Sequence, residues 1–298
     1  MGDMNGFPSI GTPVLRRPSG EVALNKFRKF RAAGQIDSDA GIERTLHETV
    51  FTGMATSTFT SGQVVTLSDG FTYNIGIPTG GSVAITTSGL KHQHPSTSTE
   101  TSCGISPANN GGYSAFHHIL GAGRLRRGRW GLWCRVSEYA MVASAWHYIL
   151  NWGTAYPNSY GGLRRARNQQ GAPNNATGSL VAWIGIGGTD SYGILGASSE
   201  SSSSSNNAHN AAEDCACIYF HNSTLWDIYY GSWSDGWPSL DNMTFGLRVN
   251  TMPTRNDMDD ALYMRDPKIW NLGCGGGGYS SNTGNTLTLD RWRITVWE

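Results

Sequence analysis

Lysine is scarce in this chain: of 22 basic residues, 4 are Lys and 18 are Arg. The arginine guanidinium suits stacked and bidentate contacts at buried interfaces, while the lysine ammonium suits solvated surface. Much of the surface is therefore expected to be covered by other subunits. Charge of either sign is sparse, at 15% of 298 residues, and 22 basic against 22 acidic groups leave no net field. Such a chain exerts no global pull on nucleic acid or an anionic membrane, and neither is expected as a partner. No run of about 18 apolar residues occurs, and the opening "MGDMNGFPSIGTPVLRRPSG" has no apolar core of a signal peptide. Synthesis in a cytoplasm is the expectation. The five cysteines, Cys103, Cys134, Cys215, Cys217 and Cys274, are odd in number and lack zinc-finger spacing, so reduced thiols are expected.

Enzyme signatures are missing as well. There is no Gly-x-Ser-x-Gly elbow and no His-Glu-x-x-His. "GCGGGG", Gly273 to Gly278, lacks the Gly-Lys-Ser/Thr ending of a phosphate loop and reads as a flexible or tightly turning connection. A glycosidase on a β-sandwich needs two carboxylates on facing positions, and adjacent Glu213 and Asp214 point to opposite faces of a strand. The expectation is a protein without catalytic residues or cofactor.

What the chain does contain is a long succession of strand patterns. "QVVTLSD", "FTYNIGI", "SVAITTSG", "RWGLWCRV", "SLVAWIGIGG", "DCACIYF", "TLWDIYYGSW", "TFGLRVN" and "LTLDRWRITVWE" alternate or run apolar between Gly-, Asn- and Ser-rich turns. The predicted fold is mainly β, an antiparallel sandwich over residues 51–298, with a possible split near 110. Residues 1–50 read as an arm with short helices. Ser19 can cap "GEVALNKFRKFRAAG", whose Ala23, Phe27 and Phe30 form one apolar stripe, and "IDSDAGIERTLHE" reads as a second helix. The low-complexity "GASSESSSSSNNAHNAAED" reads as a surface loop.

Aromatic residues concentrate in "FHNSTLWDIYYGSWSDGW", Phe220 to Trp237. Read as a hairpin, Trp226, Ile228 and Tyr230 share one face and belong to the core. Asp227 sets the other face toward solvent, with Tyr229 and Trp233. Sugar sites stack ring faces on aromatics and bind hydroxyls with carboxylates, so Asp227, Tyr229, Trp233, Asp235 and Trp237 form a candidate glycan site. The same residues suit packing against a strand, loop or subunit.

Other groupings have a functional and a plain reading. "RLRRGRW", with Arg124, Arg126, Arg127 and Arg129, and "LRRAR", with Arg164, Arg165 and Arg167, could grip phosphates or make ion pairs between subunits. His92 and His94 share one face of "KHQHP" and could meet copies of themselves on a threefold axis around a transition metal. Cys215, Cys217 and His221 make a partial zinc set without an evident fourth ligand. Asn256, Asp257, Asp259 and Asp260 could supply oxygens to Ca²⁺ but lack the glycine and glutamate of an EF-hand loop.

Two resemblances add to this reading. Ser19, Gly20, Val22, Leu24, Asn25, Phe27 and Arg28, followed by Ile36, Asp39, Ile42, Arg44 and Leu46, resemble the N-terminal segment of tailed-bacteriophage virion proteins. That resemblance implies a virion structural protein, a capsid decoration or tail appendage that assembles through its arm. Leu24, Phe27, Arg28 and Phe30, with Arg124, Arg126, Arg127 and Arg129, would contact other virion proteins or further copies, a trimer being favoured. "RWGLWCRVS" and "LTLDRWRITVWE" resemble strands of concanavalin A-like and laminin-G-like sandwiches, which implies a host-surface glycan as the alternative partner; a glycan-degrading enzyme is the third reading, for which no carboxylate pair can be named.

Overall fold

Gly, Asn, Ser and Pro cut the chain into short extended segments, and in the computed structural model these pair into an antiparallel β-sandwich. The structure describes residues 15–16, 22–23, 42–95, 97–101, 104–107, 118–121, 123–124, 128–140, 145–153, 159–167, 179–186, 189–194, 214–221, 225–250, 271–275, 278–280 and 285–298. The first strands are β1 Leu15–Arg16, β2 Val22–Ala23, β3 Glu43–Val50, β4 Ser57–Thr58, β5 Val64–Thr66, β6 Thr72–Gly76 and β7 Ser82–Thr86. Next come β8 Gly89–Gln93, β9 Thr97–Thr101, β10 Gly104–Pro107, β11 Trp130–Ala140, β12 Ala145–Gly153, β13 Ser159–Arg167 and β14 Ser179–Ile186. The last are β15 Thr189–Ile194, β16 Cys215–Phe220, β17 Leu225–Gly231, β18 Thr244–Asn250, β19 Asn271–Gly275, β20 Gly278–Ser280 and β21 Thr286–Trp297.

One sheet has nine strands in the order β18-β17-β16-β11-β21-β8-β7-β4, with β3 also on β21. The other has ten, in the order β15-β14-β13-β12-β19-β10-β6-β5, with β20 on β12 and β9 on β20. β21 lies at the centre of the nine-stranded sheet. One edge pairs with β11 along its length, while the other pairs with β8 through Thr286–Leu289 and with β3 from Arg291 to Trp297. Strands from both sides of residue 110 enter both sheets, so no boundary falls there.

Period-two alternation fills the space between the sheets. Trp130, Leu132, Cys134 and Val136 of β11 meet Ala216, Ile218 and Phe220 of β16. Trp226, Ile228 and Tyr230 of β17 join them, as the hairpin reading expects. Trp292, Ile294 and Val296 of β21 complete this face, opposite Tyr73, Ile75, Ile149, Leu150 and Leu163 of the ten-stranded sheet. Trp130 stacks on Phe220 with centroids 3.8 Å apart and planes 11° from parallel. Each fully buried aromatic or aliphatic side chain here contributes about 2–3 kcal/mol of transfer free energy.

Gly89 opens β8 at φ +125°, and a Cβ there would lie 2.5 Å from the Leu289 carbonyl oxygen of β21. Backbone cannot retreat from such an approach without breaking the ladder. Gly89→Ala is expected to lower the unfolding free energy by about 3 kcal/mol, combining backbone strain with the clash. A drop below 1 kcal/mol in a urea titration would contradict this close approach.

Three local expectations are corrected. Val22–Ala23 pairs antiparallel with Leu15–Arg16 instead of lying in a helix. Glu43–Val50 of the second expected helix is β3, because the edge of β21 offers it a full ladder of backbone hydrogen bonds; the sandwich thus begins by residue 43. Asn271–Gly275 and Gly278–Ser280 are strands in the ten-stranded sheet, so "GCGGGG" is not merely a connection. The serine-rich stretch and Asn256 to Asp260 lie outside the described residues.

Candidate functional site

The face of the nine-stranded sheet turned away from the inter-sheet core carries an arginine–tryptophan platform. On β11, Trp133 and Arg135 alternate with the core residues Leu132 and Cys134. On β21, Arg291, Arg293, Thr295 and Trp297 alternate with Trp292, Ile294 and Val296. Arg135 and Arg291 are directly opposed across the ladder, as are Trp133 and Arg293. The segment after β17 folds back over this face, where Leu240 and Met243 are buried and Trp233 and Trp237 are partly buried beside Trp133, Cys215, Cys217, Tyr219, Tyr229 and Trp297.

Asp290 organises the platform. Its carboxylate is fully buried and accepts from Arg135 Nη1 at 2.6 Å, Arg291 Nε at 2.8 Å and Thr52 Oγ1 at 2.8 Å. Arg135 also pairs with Asp214 at 3.2 Å, and Arg291 with Glu48 at 3.5 Å. Both guanidinium groups hold the same Oδ2 of Asp290, so they sit side by side. The Trp233 ring rests over them, with centroid distances of 4.5 and 4.6 Å, and its backbone N–H donates to Asp214 Oδ1 at 2.7 Å.

Arg293 repeats the arrangement under Trp133 and Trp237, at 4.3 and 4.7 Å from their rings, and pairs with Glu43 at 2.8 Å. Trp237 Nε1 donates to Glu48 at 2.9 Å, and Trp133 Nε1 donates to Thr295 Oγ1 at 2.7 Å. Trp233 and Trp237 meet nearly at right angles, 77° with centroids 5.2 Å apart. Cation–π contacts of partly desolvated guanidinium groups stabilise by about 1–2 kcal/mol each, so both indoles are held in place. Burial pushes the Glu43 carboxyl above the usual range despite Arg293, and burial lowers Arg293 in turn.

The structure divides the five expected sugar-site residues. Trp233 and Trp237 are partly exposed on the platform and Asp235, between them, is exposed. Asp227 and Tyr229 are corrected: both are buried, because the returning segment and β18 cover that face. Asp227 accepts two hydrogen bonds from Arg248, at 2.7 and 2.8 Å, and one from His221 at 2.7 Å. Burial alone would raise its carboxyl, but these bonds outweigh burial and hold it below the ordinary carboxylate range. Burial pushes the Tyr229 phenol up, and Asp227 adds to the shift. Neither residue is placed to meet a ligand.

Arg135, Arg291, Arg293, Asp290, Glu48 and Trp133 were not singled out from the sequence, and Asp214 enters only as half of a carboxylate pair with Glu213. The signal was present in "DRWRITVW", where Arg recurs at period two on the face opposite Trp292 and Ile294.

The histidine expectation is corrected as well. His92 and His94 are buried within one chain and cannot meet copies of themselves on a threefold axis. Buried His147 of β12 in the ten-stranded sheet meets His94, with ring centroids 4.5 Å apart. His147 Nδ1 and Nε2 and His94 Nδ1 have no hydrogen-bond partner among the described residues. Burial lowers His94 to about 4, and burial, His94 and His92 lower His147 well below the imidazole range. Among the described residues no three His, Cys, Asp or Glu side chains stand where one cation could hold them together. Cys215 and Cys217 are buried thiols raised chiefly by burial.

Of the residues expected at an assembly surface, Arg124 pairs with Glu298. Arg129 adopts φ 61°, with its N–H on the Phe220 carbonyl and its own carbonyl on the Trp297 N–H. Leu24, Phe27, Arg28, Phe30, Arg126 and Arg127 lie outside the described residues, as do the side chains of Arg164, Arg165 and Arg167.

No protein-family model and no curated protein matches the chain. Among solved structures, β-agarase A from Zobellia galactanivorans is similar at a TM-score of 0.41 and 8% identity, covering 86% of this chain and 93% of that one. The κ-carrageenase from Pseudoalteromonas carrageenovora gives 0.39 and 8%, covering 90% and 99%. A glycoside hydrolase family 16 endo-glucanase from Bacteroides ovatus gives 0.35 and 8%, covering 85% and 99%. Against these glycan-degrading neighbours, the expectation of a phage structural protein without enzymatic activity is withdrawn. What this chain has in common with them is the fold, an antiparallel β-sandwich of the jelly-roll kind.

Proposed function

We propose that the outer face of the nine-stranded sheet is a carbohydrate-binding surface. The observation that carries this reading is the fixed, partly exposed pair Trp233 and Trp237, held on Arg135, Arg291 and Arg293 with Asp235 exposed between them. A sugar ring stacks its C–H face on an indole, and such contact is strongest where the indole loses no freedom on binding. The carboxylate of Asp235 accepts hydrogen bonds from sugar hydroxyls, and exposed Ser232, Ser234 and Ser239 add donors and acceptors nearby.

The reading is tested on a glycan array followed by titration calorimetry. Trp233→Ala is expected to weaken binding by about 100-fold, the loss of one buried stacking anchor. Asp235→Asn, at an exposed position that leaves the fold untouched, is expected to weaken it by about tenfold. Reducing-end release measured on each bound polysaccharide separates binding from cleavage. Absence of wild-type binding across the array removes the proposal.

A further inference from the structure

We infer that the glycan taken by this surface is uncharged and that sulfated or uronic chains are turned away. The inference rests on the carbohydrate-binding reading above. Three guanidinium groups underlie the platform, yet each is already bound: Arg135 to Asp214 and Asp290, Arg291 to Asp290 and Glu48, and Arg293 to Glu43. Trp233 covers the first two and Trp133 and Trp237 lie against the third. A sulfate or carboxylate ligand is held by donors that can turn to it in bidentate fashion. Drawing Arg135 or Arg291 toward such a ligand would strip a partner from Asp290, which is fully buried, and an uncompensated buried charge is strongly destabilising.

The local charge balance points the same way. Against those three arginines stand five carboxylates, Glu43, Glu48, Asp214, Asp290 and Asp235, and the exposed one is Asp235. At physiological ionic strength screening acts over about 8 Å, so these nearby groups and not the balanced whole chain set the field that a ligand meets. An approaching anion encounters a carboxylate at the rim and cations that are neutralised and covered. A neutral ring encounters an apolar indole surface and hydroxyl acceptors.

Affinity electrophoresis through gels containing dextran, xylan or galactan, each paired with its own chemically sulfated derivative, isolates the effect of charge. Wild-type protein is expected to be retained by at least one neutral polymer and to bind the sulfated form of that polymer about tenfold or more weakly. Retention on the neutral polymer is expected to be unchanged when salt is raised. Equal or tighter binding to the sulfated derivative, weakening as salt rises, overturns the inference while leaving the carbohydrate-binding reading intact. No retention on any gel removes that reading and the inference with it.

Discussion

Asp290→Ala is expected to lower the unfolding free energy by about 3 kcal/mol, at the lower end for a broken buried ion pair because both arginines keep a second carboxylate and some solvent. The substitution removes three hydrogen bonds at once, from Arg135, Arg291 and Thr52. Two neighbouring guanidinium groups on adjacent strands then face each other without the charge between them. Asp290→Asn keeps the size but loses the charge and presents an amide N–H₂ to one guanidinium, so it is expected to be nearly as damaging. Asp235→Asn, on the same platform but exposed, is expected to stay within about 0.5 kcal/mol of wild type. Urea titrations of the three variants make the comparison. If both Asp290 variants fall within that narrow range, the platform is not organised as described. Trp233 rests on the two affected guanidinium groups, so the Asp290 variants are expected to lose glycan affinity together with stability.

Acidification from neutral pH is expected to destabilise the fold through two buried histidines. His94 and His147 are neutral in the folded chain, whereas both take up a proton near pH 6.5 when unfolded. Their folded values are depressed, and depression of a base favours the unfolded state as protons become available. Stability is therefore complete above pH 6.5 and falls as the pH drops from there toward 4, the folded value of His94. His94 alone accounts for about 3 kcal/mol over that window, and His147 adds to the loss. Denaturant midpoints measured at intervals from pH 7.5 to 4.5 should decline steadily. His94→Gln combined with His147→Phe should flatten the decline, and a flat wild-type profile over the same range would show that the imidazoles take protons without opening the sheets. Asp227 acts only at lower pH. Its depressed carboxyl supports the fold above the usual carboxylate range, and that support is lost as the pH falls through its folded value.

How far the sequence could be read depends on how far the relevant partners lie along the chain. Alternation within β17 correctly separates Trp226, Ile228 and Tyr230 from Asp227 and Tyr229, because side-chain direction is a property of the strand itself. Whether the second face is wet is decided elsewhere. Arg248 of β18 is set opposite Asp227 by strand register, and Leu240 and Met243 close over Tyr229. Neither event leaves a local pattern. His92 and His94 are visible as a pair, yet His147 reaches them from the other sheet. β3 shows the opposite failure: Ile42 and Leu46 are spaced like one helical face, and a long-range ladder with β21 overrides that spacing. Aromatic clustering from Phe220 to Trp237 makes part of the platform visible in the sequence, but the arginines that shape it come from β11 and β21.

The central position of β21 has a consequence in time. Its neighbours β3 and β8 are synthesised long before it, and β11 must also wait for it to fill the gap between them. Until the ribosome has delivered Thr286–Trp297, the nine-stranded sheet is three unconnected pieces, β4-β7-β8, β11-β16-β17-β18 and β3 alone, with unpaired inner edges and an open apolar face. Loop closure over such separations is slow, and open edges invite pairing with other chains. Successful production of this protein is therefore a race between completion of one strand and aggregation of everything that precedes it.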